Sequence, residues 1–415
     1  MRTRRFLLAA LMLLAAPFAA RAADPITIGF GMALTGGLAP NGKAALFAMQ
    51  IWEKEINDKG GLLGRPVKLV YYDDQSNPAT VPGIYTKLLD VDKVDLVVSG
   101  YATNMVAPAM PVVIGHNRTF LALFGLAANT EFAYPKYFAM QPTGGMTPKL
   151  EFARGYFEVA QAQNPKPATL AMVGADAEFP RNAMDGAREL AKQQGYKVVY
   201  DKTYPPTTTD FSPIVRAIQA TNPDMVLVAS YPPDSVGMIR AVNEVGLKTK
   251  LFGGGMVGLQ STPIKMQLGP LLNGIVNYDF WLPWSKLATP EGLAFLKKYQ
   301  SEAEGKGVDV LGYYLPPFAY AYMQVLQKAV ETAKGLDDDK IAAALRDDTF
   351  ETIVGPIKFG PNGEWAVPRV MEVQFQNIQK ANELDTFKDP KTEVVLWPPA
   401  LKTGDVQYPY TDVKR

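Results

Sequence analysis

The chain has 415 residues, 47% hydrophobic and 20% charged, which is enough for two domains with full cores and carries no disorder signature. Its net charge is +1 with no basic tract, so nucleic acid and anionic membrane are poor partner expectations. Cysteine is absent and His116 is the single histidine, which excludes disulfides, thiolate chemistry and Cys-based metal sites, and leaves a catalytic triad or His-based metal site only one residue to build on.

Arg2, Arg4 and Arg5 precede an apolar run from Phe6 to Ala16, and Ala20-Arg21-Ala22 then gives an A-x-A site. This is the pattern of a secretory signal peptide over 1–22, cleaved after Ala22 or Ala23, and the run is too short to span a bilayer. The Arg4-Arg5 pair leaves twin-arginine export open beside the general route. Removing the four arginines of this segment would take the net charge to about −3. Without a cysteine for lipid anchoring, the exported protein is expected to diffuse freely behind an outer barrier, in a periplasm.

Short apolar runs then alternate with longer amphipathic ones. Residues 26–32 read as a buried strand, 42–60 as a helix stopped by glycine, 67–74 as a strand, 79–92 as a helix and 94–100 as a strand. A proline-containing helix over 103–116 and a strand over 119–125 follow, with His116 at the helix end, where a surface role is expected. Pro and Gly interrupt the rhythm over 137–149. A second series begins with a helix over 147–163, then strands over 168–174, 196–201, 223–230 and 250–254. Helices over 180–195, 210–220 (capped by Asp210) and 233–246 separate those strands. Further helices are expected near 289–304, 313–334 and 338–346, a hairpin over 354–375 turning at 361–363, and a last strand at 392–399. Two alternating series predict an α/β protein of two Rossmann-like lobes with parallel sheets.

The stretch "GFGMAL" at 29–34 mimics a dinucleotide fingerprint, but Leu34 stands at the third glycine position and Asp73 and Asp74 lie too far on. No Walker A or Gly-x-Ser-x-Gly motif occurs, and no cofactor or metal is expected. What remains is a set of loops at the strand ends: 32–37, 99–105, 124–130, 174–180, 229–235 and 253–258. They are rich in small, hydroxyl and aromatic residues with few charges, which suits a closed ligand pocket better than proton-transfer chemistry.

Residues 26–89, with "LTG" after the first strand, "EIN" and "GG" after the first helix and "DD" ending the second strand, resemble the opening of the leucine/isoleucine/valine-binding family. "VLVASYPPDSVGMIRAVNEVGLKTKLFGGG" and "GPIKFGPNGEW" extend the likeness over nearly the whole exported chain. These are solute-binding proteins of ABC importers with the type I periplasmic-binding fold. The resemblance implies two lobes joined by three crossings, near Gln141, Tyr278–Leu282 and Thr352–Gly355, closing on ligand by a hinge. Lobe 1 would take 24–141 and 279–351, and lobe 2 142–278 and 352–415, the last strand being of uncertain lobe. A monomer that hands its ligand to a membrane permease is expected.

The family's ligand positions carry over one at a time. The hydroxyl that holds the ligand carboxylate falls on Thr103, helped by the amides of Asn104 and Met105. A backbone carbonyl falls on Leu126, and a Thr position on Ala128. Two aromatic positions fall on Phe179 and Tyr231, an aromatic of the first loop falls on Asn41, and the acid that binds an α-ammonium falls on Gly255 or on its neighbours Gly254 and Met256, none of them acidic. A buried ammonium without a carboxylate is unfavourable. With Tyr101, Phe179 and Tyr231 making the pocket aromatic, and Trp281 or Trp284 either lining it or packing between lobes, the preferred ligand is a small aromatic or hydrophobic acid without an α-ammonium. A branched-chain amino acid, a small amide, and a ligand sensor acting on a membrane receptor stay open as alternatives. A secreted enzyme is the least favoured.

Overall fold

The computed structural model describes residues 24–415, so the expected signal peptide lies outside the described residues. The first series runs β1 (Ile26–Met32), α1 (Ala39–Asp58), β2 (Val67–Asp73), α2 (Val81–Thr86), β3 (Leu96–Val97), α3 (Thr103–Gly115), β4 (Phe120–Ala122) and β5 (Tyr137–Ala139). In β1 the side chains of Ile26, Ile28, Phe30 and Met32 have no exposure, and each such burial contributes about 1.5–3 kcal/mol. Strands β2, β1 and β3 pair in parallel. Parallel bridges Val98–Leu121 and Tyr101–Phe124 continue the sheet to the β4–β5 pair, in the order 2-1-3-4-5.

The second series runs α4 (Pro148–Gln161), β6 (Thr169–Ala175), α5 (Glu178–Gln193), β7 (Lys197–Tyr204), α6 (Ser212–Ala220), β8 (Met225–Ser230), α7 (Pro232–Val245), β9 (Leu251–Met256), α8 (Thr262–Leu268) and β10 (Val276–Asp279). Its parallel strands pair in the order β7-β6-β8-β9-β10, the same pattern as the first sheet. Each lobe therefore has its switch point beside its first strand, and ligands of open α/β sheets bind outside such points.

Three helices, α9 (Pro290–Ala303), α10 (Leu315–Ala333) and α11 (Asp338–Asp347), follow β10. Helix α10 returns to the first lobe. Its Gln327 accepts the Trp52 indole N–H at 3.1 Å, and Tyr322 donates to the carbonyls of Ser99 and Leu121 at 2.9 and 3.0 Å. The remaining strands are β11 (Thr349–Thr352), β12 (Gly355–Lys358), β13 (Met371–Phe375) and β14 (Glu393–Trp397).

Two expectations change here. The hairpin is β11–β12, turning at Ile353-Val354, and residues 361–363 make a separate turn closed by the Phe359–Trp365 bridge. Strand β13 does not pair with β12; it runs antiparallel between β10 and β14 at the edge of the second sheet. The segment 352–355 is thus a hairpin turn packed on the first lobe, and the third crossing comes after Phe359. It runs beside the first crossing, with Gly145 N–H donating to Trp365 and Arg369 N–H to Pro142. Helix α6 starts at Ser212 with Phe211 rather than Asp210 at its N-cap; Asp210 stands one residue earlier and accepts the Ser212 N–H at 3.0 Å.

The three glycines of "LFGGGM" lie in β9. A Cβ at Gly253, whose φ is 151°, would stand 1.6 Å from the Val276 carbonyl oxygen of β10, and one at Gly254 (φ 113°) would stand 2.8 Å from the Leu227 side chain of β8. Two of the three therefore let β9 lie between its neighbours.

Glu364, on the third crossing, is 3% exposed and its Oε2 has no partner, so burial pushes its carboxyl up to about 8. The folded protein keeps this proton between about pH 4.5 and 8 while the unfolded chain loses it, so this group makes stability fall as pH rises through that window. Glu364→Gln is expected to flatten the decline in melting temperature between pH 5 and 8. An unchanged pH profile would contradict this.

Candidate functional site

The chain enters α3 through Ala102, whose φ of 87° and ψ of 143° are rare for a residue with a side chain and cost about 1–3 kcal/mol. The N–H groups of Met105 and Val106 both turn back to the Ala102 carbonyl at 2.9 Å, so the Met105 amide is not available to a ligand. The N–H groups of Thr103 and Asn104 have no acceptor within the helix, and neither an acidic residue nor a side-chain cap stands at this end. The Thr103 Oγ1 accepts the Leu126 N–H at 3.0 Å, which leaves its own proton free to donate.

A small chamber of about 20 Å³ opens beside this turn. Tyr101, Thr103 and Phe124 of the first lobe face Phe179, Tyr231 and Tyr278 of the second, with Tyr314, Val257 and the Gln141 amide closing it. The rings pack at tilted and edge-to-face angles. Phe152 lies 5.4 Å from Phe179 and 4.8 Å from Tyr278, Phe179 lies 5.8 Å from Tyr231, and Phe124 lies 5.7 Å from Tyr314. Burial pushes the Tyr101 hydroxyl up to about 12 and those of Tyr231, Tyr278 and Tyr314 well above their usual range, so all four stay neutral donors. None of the residues lining this chamber is charged.

Side-chain hydrogen bonds cross the cleft, among them the 3.2 Å contact between the Tyr278 and Tyr314 hydroxyls. Tyr231 donates to Asn104 Oδ1 at 2.6 Å, and Asn182 Nδ2 donates to the Leu126 carbonyl at 2.9 Å. Beyond Tyr231 lies a larger cavity of about 400 Å³, also walled by both lobes.

Tyr101, Thr103, Phe179 and Tyr231 come together in the small chamber, and Asn104 lies on the larger cavity with Tyr231. Leu126, Ala128, Gly255 and Met256 line neither. Both backbone groups of Leu126 are engaged as described, and Ala128 is buried. The Met256 N–H and carbonyl are both held by the Asn277 amide at 3.0 Å. Gly255 does not leave open space: a Cβ there would meet the Phe152 ring at 3.2 Å, so an aromatic side chain from α4 fills the space beside it. Asn41 donates to the Tyr101 hydroxyl at 3.3 Å rather than supplying a ring. Trp281 is buried and Trp284 packs edge-on against Tyr313, and neither lines the small chamber or the larger cavity. His116 caps the end of α3 and reaches Asp90 at 2.8 Å, away from the cleft. Among the described residues no group of three or more His, Cys, Asp or Glu side chains could hold a metal ion.

Gln141, Phe152, Asn182, Tyr278 and Tyr314 were not expected from the sequence as ligand-site residues, whereas Phe124 heads the candidate loop 124–130. Gln141 and Tyr278 sit on crossings, and Phe152 and Asn182 fall on the buried faces of α4 and α5, where they read as core. Only "GYYLPP" at 312–317, two rings before a proline-led helix, offered a local signal.

The model of the family described as periplasmic binding protein matches residues 25–379. A Pseudomonas aeruginosa leucine-, isoleucine-, valine-, threonine- and alanine-binding protein is 24% identical over 83% of this chain and 88% of its own length. A Brucella suis Leu/Ile/Val-binding protein homolog is 24% identical over 91% and 95%. Among solved structures, a leucine-binding protein from Thermotoga maritima superposes with a TM-score of 0.71 at 18% identity, covering 85% of this chain and 96% of its own. An R. palustris ABC-transporter solute-binding protein in complex with benzoate gives 0.74 at 17%, covering 92% and 98%. With two Rossmann-like lobes, three crossings and a cleft between them, the chain belongs to the periplasmic binding protein family.

Proposed function

We propose that the protein captures a small aromatic carboxylate lacking an α-ammonium group and presents it to the permease of an ABC importer. The carrying observation is the first turn of α3. The Thr103 and Asn104 N–H groups, which have no acceptor within the helix, and the Thr103 hydroxyl stand where the larger cavity meets an aromatic chamber lined by no charged side chain. A helix N-terminus favours an anion, and the tyrosine and phenylalanine rings offer faces and edges to a flat ligand. An ammonium group would lose its hydration with no carboxylate on the chamber wall to offset it. The R. palustris relatives solved with benzoate and 4-hydroxybenzoate are in keeping with this class.

In this reading the lobes, residues 24–141 with 279 to about 359 and residues 142–278 with the remainder, turn about the three crossings as a monomer. Tyr231–Asn104 and Asn182–Leu126 break on opening and re-form over the ligand. Opening is required, because a chamber of about 20 Å³ has room for about one water. Thermal titration of the exported chain tests the ligand class. At a hundredfold excess over Kd, a bound ligand adds about 2.7 kcal/mol to stability. Aromatic monocarboxylates are expected to raise the melting temperature and leucine to leave it unchanged. A shift with leucine alone would overturn the reading in favour of an amino acid.

A further inference from the structure

Building on the ligand class just proposed, we infer that the ligand is longer than a benzoate: a monocarboxylic acid whose apolar body continues past Tyr231 into the larger cavity and carries no second negative charge. The two cavities differ twentyfold in size. The smaller, at about 20 Å³, is filled by its own rings, whereas the larger, at about 400 Å³, falls in the range of small-molecule sites. They meet at the first turn of α3. Tyr231 lines both, and Asn104, its hydrogen-bond partner, lines the larger one. A carboxylate held by the Thr103 and Asn104 N–H groups therefore sits at the junction, and the rest of the molecule has room on the outer side.

The walls of that outer space define the extension. Ala107 and Pro108 of α3 face Pro233 of α7 across the cleft, with Leu38 and Ala177 nearby, so the surface is apolar and rigid. Its charged lining is acidic: Asp176, Glu178 and Asp234, with no lysine or arginine among the lining residues. Asp176 is paired with Arg181 at 2.9 Å, and Asp234 accepts from the Tyr204 hydroxyl at 3.0 Å and from the Tyr231 N–H at 3.3 Å. Glu178 carries no such partner among the described contacts. A second carboxylate at the far end of the ligand would meet these groups and be disfavoured, while an apolar or neutral end would not. The fitting class is an arylalkanoic or arylalkenoic acid.

Calorimetric titration with benzoate, 4-phenylbutyrate and 4-(3-carboxypropyl)benzoate tests this on the full exported chain. The expected result is 4-phenylbutyrate binding at least tenfold tighter than benzoate, with the dicarboxylate at least tenfold weaker than 4-phenylbutyrate. Ala107→Phe, which fills the outer space, should reduce the ratio of 4-phenylbutyrate to benzoate affinity at least tenfold. Glu178→Gln keeps the test decisive if Ala107→Phe fails to fold, and should raise dicarboxylate affinity severalfold. Benzoate binding as tightly as 4-phenylbutyrate overturns the two-cavity inference while leaving the carboxylate reading intact. Absence of binding by all three acids overturns both.

Discussion

Gly253→Ala is expected to destabilise the second lobe by about 3 kcal/mol or more and to lower its melting temperature by about 6–12 °C. The new Cβ would stand 1.6 Å from the Val276 carbonyl oxygen, a backbone atom that cannot move without breaking the β9–β10 pairing, and the φ of 151° is itself unfavourable for alanine. Gly255→Ala is the informative control. Its Cβ would meet only the edge of the Phe152 ring at 3.2 Å, and a ring can shift by a few tenths of an ångström. Scanning calorimetry of the two variants should separate them clearly. Equal melting temperatures would mean that β9 and β10 do not approach as closely as described.

That contrast bears on how the glycine run could be understood from sequence. Three adjacent glycines signal close approach of backbone, but not of what. Gly253 is fixed by its neighbour strand and Gly255 by a ring contributed from about 100 residues away, and no local pattern encodes either. The alternating series were legible because buried parallel strands such as Ile26–Met32 and Met225–Ser230 are continuous apolar runs between amphipathic helices. The last strand of each series was not. Strands β5 and β10 are three and four residues long and lie next to crossings rich in Pro and Gly, where periodicity has no length in which to show itself. The misplaced hairpin has the same origin. Asn362-Gly363 is a sound turn signal and does turn the chain, but Phe359–Trp365 closes it after a single bridge, and the next strand, β13, is claimed by the second sheet.

The candidate site was legible where a residue acts through its place on an element and obscure where it acts through packing. Thr103 and Asn104 were reached through the family resemblance, and the structure puts them at the start of the helix that follows the third strand. Leu126 was expected at the site, but it lines neither cavity, and its engagement by Asn182 was not legible, since that bond depends on how the two lobes meet. The aromatic character of the cleft was visible in Tyr101, Phe179 and Tyr231. The structure enlarges it with Phe124, Phe152, Tyr278 and Tyr314, so that rings stand beside the position where a charge had been sought. Loss of a charge and gain of a ring at one place act together: the first disfavours an ammonium and the second favours a flat apolar surface.

Thr103→Val should weaken binding of an aromatic carboxylate by about 10- to 100-fold. The substitution preserves shape and removes the hydroxyl proposed to donate to the anion, and a hydrogen bond to a charged group contributes about 1.5–3 kcal/mol. It also leaves the Leu126 N–H, buried and now held at 3.0 Å by Thr103 Oγ1, without an acceptor, which costs about 1–3 kcal/mol of stability. The two effects are separable. Thr103→Ser retains the oxygen and should restore both melting temperature and affinity. The methyl ester of the same acid carries no charge for the α3 terminus to stabilise, so it should bind weakly to the wild type and lose much less than the acid in the valine variant. Calorimetric titration of acid and ester against the three proteins reads this directly. If Thr103→Val melts lower yet binds the acid with wild-type affinity, Thr103 merely braces the Leu126 loop, and the carboxylate must be held elsewhere in the cleft.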